Sequence, residues 1–158
     1  MAVTSGNMLA QHNGASANAT ARVHAEIVAP ISVTSEGIID FGQIAAHSDG
    51  GQVLLLPDGT RSATVDNILI PGRAASTTVF KVRAADGYSY SLAINADPLT
   101  TGSGSGAQTM TVNFELDQYQ HTGNGQEQVI GLTSTLTVNP DQAPGEYTGE
   151  VTMTVSYE

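Results

Sequence analysis

The sequence feature that most constrains the fold is a strict two-residue alternation near the N-terminus. From Ala15 to Val33 every odd-numbered residue is apolar, whereas most even-numbered residues are polar. A period of two places alternate side chains on opposite faces of a β-strand. Such a strand would span roughly 60 Å at about 3.3 Å per residue, whereas ordinary strands hold roughly 3 to 10 residues. The run is therefore too long for one domain to pair, and Pro30 within it indicates an edge, a bulge or a strand end.

The same alternation recurs along the rest of the chain. It covers residues 77–84, 88–94, 109–116, 130–138 and 151–157, with Gly, Asp and Pro turns between the segments. No apolar stripe with a 3.6-residue period persists, and Thr, Ser, Gly, Ala and Val are abundant, as is typical of strands and tight turns. About eight short strands in 158 residues predict an all-β protein with one immunoglobulin-like β-sandwich, and a barrel is the alternative.

A tyrosine close to the C-terminus favours the sandwich. Tyr147 precedes the last alternating segment and follows Asp141-Gln142-Ala143. Immunoglobulin-like folds build a tyrosine corner in this way, with the hydroxyl bonded to backbone a few residues upstream. An ordinary turn that ends in an edge tyrosine would give the same pattern, and both interpretations stay open.

The two ends of the chain complement each other. The N-terminal run has more strand than one domain needs, and the last alternating strand is still in progress at Glu158. Exposed apolar strand edges are hazards that proteins cover or exploit. We therefore expect an incomplete sandwich that an N-terminal strand completes.

Several segments carry a resemblance to known proteins. They are ANATARV (17–23), VAPISVT (28–34), IDFG (39–42), LPDGTR (56–61) and APGEYTGEVTMTVSY (143–157). In this order they resemble a family of short secreted bacterial proteins classed as a domain of unknown function. The ending also resembles fimbrial subunits of the archaic chaperone–usher type, including spore-coat-U-like pilins.

This resemblance implies both a fold and a function. Such subunits are immunoglobulin-like sandwiches that lack their last strand, and an N-terminal donor strand from the next subunit fills the groove. It implies a structural subunit of an extracellular fibre on the cell surface, with a periplasmic chaperone and an outer-membrane usher as partners during export. The chain departs from the pattern in adding residues 1–14 before the alternating run.

Donor-strand complementation assigns a role to each end of the chain. We expect a flexible tail at 1–14, a donor strand at 15–24 and a pilin-like β-sandwich at 25–158. The inserted side chains would be Ala15, Ala17, Ala19, Ala21 and Val23. The edge of the acceptor groove would be Val151, Met153, Val155 and Tyr157. Because the donor side chains are small, they are weak anchors unless insertion completes the acceptor's fold.

Composition excludes several other functions. The net charge is −10 with only five Lys and Arg, which excludes a nucleic-acid partner. No apolar run reaches membrane-spanning length, so membrane insertion is not expected. The first residues show no signal-peptide pattern, and we expect that a signal was removed from a secreted protein.

Neither catalysis nor a cofactor is expected. The histidines His12, His24, His47 and His121 are scattered, no catalytic motif occurs, and there is no Cys. The alternative function is a monomeric secreted binding or adhesion module, which includes a calcium-stabilised form. Aspartates lie near many turns, but no Asp-x-Asp-x-Asp-Gly loop exists, and turns favour Asp for local backbone reasons.

Overall fold

The computed structural model describes Gly14 and residues 16–158. The remainder of the predicted tail, together with Ala15, lies outside the described residues. The strands are β1 (Ser32–Glu36), β2 (Gln43–Ile44), β3 (Gly51–Leu55), β4 (Arg61–Ala63), β5 (Leu69–Ile70), β6 (Val79–Arg83), β7 (Ser89–Ala96), β8 (Leu99–Thr100), β9 (Thr109–Glu115), β10 (Gln120–Thr122), β11 (Glu127–Gly131), β12 (Thr133–Val138) and β13 (Val151–Tyr157).

The predicted all-β sandwich is confirmed. Four sheets have the strand orders β1-β6-β11, β10-β7-β13, β4-β3-β12-β9-β8 and β2-β5, and their pairings are antiparallel. Across the described part of the chain, no helix has the length and apolarity to cross a membrane.

One segment of the chain belongs to two sheets. Strands β11 and β12 are separated by Leu132 alone, yet β11 pairs with β6 and β12 pairs with β3 and β9. The side chain of Leu132 is fully buried at this crossing. The sandwich is thereby divided along its length into two halves, each with its own core cluster.

The two clusters are built from the alternating residues of these strands. The first contains Phe80, Val82, Ala84, Tyr90, Leu92, Leu116, Ile130, Leu132 and Met153. The second contains Phe41, Val53, Leu55, Ile68, Met110, Val112, Leu136 and Val138. Ile39 and Phe114 pack against both clusters and so join the two halves.

The N-terminal run differs from the long strand that its alternation predicts. Strand β1 begins only at Ser32, and residues 16–31 belong to no strand. Val23 is 95% exposed and Ile27 is 97% exposed. A strand exists only where its backbone groups find partners, and among the described residues this segment has no partner strand. We call residues 14–27 the extension.

Two tyrosine hydroxyls make hydrogen bonds to the chain where the extension meets the domain. Tyr157 Oη donates to the carbonyl oxygen of Ala29 (2.9 Å), and Tyr88 Oη donates to the carboxylate of Glu26. Tyr157 lies opposite Tyr90 in the β13–β7 ladder, and Tyr88 lies beyond that pair. The chain therefore passes the C-terminal end of β13 and continues away from Val151.

Candidate functional site: an open groove beside the last strand

A groove of about 760 Å³ opens along one side of the second half of the sandwich. One side is formed by residues 38–46, which we call the N-terminal wall, and the other by residues 142–151, the C-terminal wall. The side chains at its floor are apolar: Leu99, Met110, Val112, Phe114, Leu136 and Val138. The groove thus borders the second core cluster: Leu99 and Phe114 at its floor are half-buried, and the other floor side chains are buried.

The period-two pattern of β9 and β12 explains the floor. Met110, Val112 and Phe114 are alternate residues of β9. Leu136 and Val138 are alternate residues of the neighbouring β12. Alternate side chains of a strand share one face, so these strands present a continuous apolar surface to the space between the walls.

The N-terminal wall is hydrogen-bonded on one side only. Asp40 and Ser76 exchange both backbone hydrogen bonds at 2.9 Å, and the amide of Ala45 donates to Ile68 (2.8 Å). Among the residues that the structure describes, the backbone of Ile39 has no backbone partner. Because neighbouring residues of an extended chain direct their backbone groups to opposite sides, the groups of Ile39 are directed toward the groove.

Arg61 fastens this wall to the rest of the sandwich. Its guanidinium donates to the carbonyl oxygens of Phe41 (2.6 Å), Gln43 (3.2 Å) and Ile70 (2.8 Å). Gly42 permits this close approach, because a Cβ there would lie 2.6 Å from Arg61 Nη1 and its φ is +73°. Hydrogen bonds from a charged donor are stronger than neutral ones. The Arg61 side chain therefore holds the N-terminal wall firmly against strand β5.

The C-terminal wall has the same one-sided pairing. Thr148 and Thr100 exchange backbone hydrogen bonds of 3.0 and 2.8 Å, and Glu150 accepts one from the amide of Asp97 (3.1 Å). Within residues 16–158, no backbone-to-backbone bond is found for Tyr147 or Gly149. By the same alternation, the groups of these two residues are directed into the groove.

Tyr147 makes the bond that defines a tyrosine corner. Its hydroxyl donates to the carbonyl oxygen of Ala143 (2.7 Å) and accepts from Gln142 Nε2 (2.8 Å). Gln142 is buried, and its Oε1 accepts from the side-chain amide of Asn139 (2.9 Å). This network fixes the start of the C-terminal wall.

The rims of the groove carry unequal charge. On the N-terminal wall the carboxylate of Asp40 is paired with Arg73 and also accepts from the amide of Gly42 (2.8 Å). On the C-terminal wall Glu146 and Glu150 are exposed, and neither has an ion pair among the described residues. The uncompensated charge at the groove is therefore negative and lies on one wall.

The predicted donor residues lie apart from their own groove. Ala17, Ala19, Ala21 and Val23 are exposed, belong to no strand, and do not line the groove of their own chain. Ala15 lies outside the described residues. Among the described residues, the face that Ala17, Ala19, Ala21 and Val23 share is exposed and has no partner strand.

The predicted acceptor edge is only partly beside the groove. Val151 lines it. Met153 is buried in the first core cluster, and Val155 and Tyr157 pack against that cluster. The groove follows residues 142–151 instead of 151–157, because β1 contacts β13 and the preceding Ile31 packs on the first cluster. Of the four predicted edge residues, Val151 alone lines the groove.

The sequence analysis did not find the opposite wall. Ile39 and Phe41 alternate with Asp40, and this short period-two signal could have marked a groove edge. The role of Arg61 had no local signal, because its three acceptors come from segments distant in sequence. No group of three or more His, Cys, Asp or Glu side chains suited to a metal occurs in the part of the chain that the structure describes.

The fold and the groove define a class: an all-β sandwich with an open groove lined by residues 38–46 and 142–151 above an apolar floor. The chain belongs to the family described as Domain of unknown function (DUF4402), whose profile matches residues 31–157. The matched region contains both walls and the floor of the groove, and it begins after the extension. No curated protein matches the sequence.

Proposed function

We propose that this protein is the structural subunit of an extracellular bacterial fibre, in which residues 15–23 of one copy fill the groove of the next. The observation that carries the proposal is a pair of unsatisfied features in one chain. The groove has two edges without a strand between them, and the extension is a strand-patterned segment without a sheet.

The two features agree in length and in pattern. The N-terminal wall has nine residues and the C-terminal wall ten, which correspond to about 30 Å at about 3.3 Å per residue. Residues 15–23 have the same extent and carry apolar side chains at every odd position. One face of an inserted strand would therefore meet the apolar floor while its polar face stays in solvent.

Backbone pairing would supply most of the attachment. Ile39, Tyr147 and Gly149 offer backbone groups toward the groove, and each added ladder hydrogen bond nets about 1 kcal/mol. The donor alanines add little, since a buried methyl contributes roughly 0.8 kcal/mol. Strand addition to a sheet edge is an established mode of recognition, and the insertion would also cover the floor of the second core cluster.

The geometry favours a linear polymer over a closed dimer. The donor and the groove are different surfaces of each copy, so the contact is heterologous, and such contacts propagate into filaments unless rotation closes a ring. The extension leaves past Tyr157, at the opposite end of β13 from the groove wall. Each copy would thus present an empty groove in one direction and a strand in the other.

Export through a periplasmic chaperone and an outer-membrane usher belongs to the same proposal. A subunit with unpaired strand edges is prone to aggregate before the groove is filled. A chaperone that occupies the groove with one of its own strands would protect the subunit during export. Co-purification of such a chaperone with a variant that lacks residues 1–23 would test this part separately.

The first experiment removes the donor. Purified full-length protein should sediment as polymers and show fibres by electron microscopy, whereas a variant that lacks residues 1–23 should stay monomeric. Full-length protein that stays monomeric at all concentrations, or polymers that persist after the deletion, would rule out the proposed function.

A matched pair of variants tests the inserted face. Ala19→Asp with Ala21→Asp would bury two unpaired charges at the groove floor and should block assembly. Asn18→Asp with Thr20→Asp adds the same charge one residue earlier, on the face that stays in solvent, and should leave assembly intact. Equal effects of the two pairs would contradict insertion of the odd face.

The competing function is a monomeric binding or adhesion module. A groove of about 760 Å³ lies within the range of small-molecule sites, about 300–1,000 Å³. The donor variants distinguish the two functions, because a ligand site in a monomer does not require residues 15–23. A calcium-dependent shift in melting temperature would support the calcium-stabilised form of this alternative.

A further inference from the structure

We propose that Arg22 of the donating copy lies beside Glu146 of the accepting copy, and that this ion pair fixes the direction and register of the inserted strand. The inference rests on the proposed function. It adds a specificity-determining pair and a strand direction: the donor runs antiparallel to the C-terminal wall.

Arg22 is one of the few positively charged residues, and it lies on the extension. The chain has five Lys and Arg, and Arg22 is the only one before Arg61. Arg61 is engaged by three carbonyl oxygens, Arg73 by Asp40, and Lys81 by Glu36 and Glu127. Arg22 is exposed on the extension and has no ion pair among the described residues.

The two partners would lie on the same face. Arg22 has an even number and therefore points to solvent when the odd residues meet the floor. On the C-terminal wall Ala143, Tyr147 and Val151 are the partly buried residues, whereas Glu146 is exposed. From residue 144 to residue 150 the even residues of this wall are exposed, so they and the even residues of the donor would share the outer surface of the completed sheet.

The ends of the groove decide the direction. The groove does not extend past Val151, because β1 contacts β13, and Val155 and Tyr157 pack on the first core cluster. The chain that follows the donor must reach its own domain, so it leaves more readily by the opposite end, near Ala143. A donor in this direction has Ala15 opposite Val151 and Val23 opposite Ala143.

This register places the charges of opposite sign together. Arg22 then lies opposite Pro144, and Glu146 is its diagonal neighbour two residues along the wall, within reach of a long side chain. In the reverse direction Arg22 would lie opposite Glu150, which is equally exposed. The two glutamates therefore report different strand directions, and the closed end of the groove favours Glu146.

A charge exchange in the full chain tests the pair. Arg22→Glu alone and Glu146→Arg alone should each raise the critical concentration of assembly about threefold to tenfold, because an exposed attraction becomes a repulsion of similar size. The double variant Arg22→Glu with Glu146→Arg should return to the wild-type value. The combination Arg22→Glu with Glu150→Arg should give no recovery, and the single-variant effects should shrink as salt is added.

The outcomes separate this inference from the proposed function. Recovery with Glu150→Arg instead of Glu146→Arg would overturn the direction, and single variants that behave like wild type would overturn the pair. In both cases the Ala19→Asp, Ala21→Asp variant still blocks assembly if the donor function holds. If that variant assembles normally, the proposed function itself fails.

Cross-linking gives a second readout in a chain that contains no Cys. Mild oxidation of a full-length variant with Ala15→Cys and Val151→Cys should give a ladder of covalent oligomers on non-reducing gels. The matched variant with Val23→Cys and Val151→Cys should still assemble but should run largely as a monomer on the same gels. No disulfide forms between copies, because those positions lie at opposite ends of the groove. The reverse result would show the opposite direction and overturn the inference.

Discussion

The hydroxyl of Tyr157, in the last strand, donates a 2.9 Å hydrogen bond to the carbonyl oxygen of Ala29, where the chain enters the domain. The same hydroxyl accepts from the amide of Ala85 (2.7 Å). One oxygen atom thus joins the N-terminal approach, the β6–β7 connection and the C-terminal strand. The exit point of the extension depends on this atom.

Tyr157→Phe should lower the free energy of unfolding by about 1–2 kcal/mol, because the half-buried amide of Ala85 loses its acceptor. It should also let residues 26–31 exchange amide hydrogens faster. Urea unfolding and hydrogen exchange measure the two effects. Tyr119→Phe is the control: this tyrosine is half exposed and should change stability by less than about 0.5 kcal/mol. Equal effects of both variants would contradict a role for the Tyr157 bonds.

Arg61→Lys should loosen the N-terminal wall although it keeps the charge. A single ammonium cannot reach the three carbonyl oxygens that the planar guanidinium serves, and we expect a loss of about 2 kcal/mol in denaturant unfolding. The amides of Asp40 and Ala45 should then exchange faster with solvent.

Arg83→Lys is the matched control for the Arg61 variant. Arg83 is exposed on β6, so the same substitution there should have an effect below about 0.5 kcal/mol. A wall whose amide exchange is unchanged in Arg61→Lys would show that strand pairing alone holds it.

Ser134→Ala should stabilise the domain. Ser134 is fully buried in β12, and its Oγ is without a hydrogen-bond partner in the described structure. Removal of an unsatisfied buried hydroxyl should raise the unfolding free energy by about 0.5–1 kcal/mol in thermal or urea melts. Ser91→Ala, which removes a hydroxyl 3.2 Å from that of Ser156, should give no gain. A destabilised Ser134→Ala protein would indicate that the hydroxyl is satisfied in solution.

Stability should fall as the pH rises above 10.0, the ordinary pKa of tyrosine. The hydrogen bond to the Glu26 carboxylate raises the pKa of Tyr88, and burial raises the pKa of Tyr90. Both groups hold their proton more tightly in the folded state, so their contribution is complete below 10.0 and is lost as the pH passes through the raised values.

Spectrophotometric titration checks the tyrosine assignment. Tyr88 and Tyr90 should each ionise above 10.0, and Tyr88→Phe should remove one of these late steps. Glu26→Gln should restore ordinary titration of Tyr88, because it removes the carboxylate that favours the protonated hydroxyl. A late step that Glu26→Gln leaves unchanged would show that Glu26 does not engage Tyr88 in solution.

The sequence predicted those elements in which local pattern and tertiary contact agree. Alternation located β9, β12 and β13, since each buries one face. It failed at residues 16–31, because alternation reports which face could be buried and not whether a partner strand exists. The segment 130–138, predicted as one alternating segment, is divided between β11 and β12, since the chain crosses from one sheet to another at Leu132.

The site could be predicted only at one edge. Val151, which the sequence analysis placed at a groove edge, lines the groove. The facing wall at Ile39 and its attachment by Arg61 depend on contacts between distant segments, for which a single sequence carries no periodic signal. The closure of the groove beside β1 likewise arises from three-dimensional packing.

Strand β13 also has a mechanical consequence. Its first residue, Val151, lies in the groove wall, and its last, Tyr157, holds the chain that leads to the extension. Tension applied between the groove and the extension would therefore run along the axis of this seven-residue strand. Its ladder with β7 would be loaded in shear, with many hydrogen bonds sharing the force instead of breaking one after another. Such a subunit would resist stretching well even though its small donor side chains bind weakly.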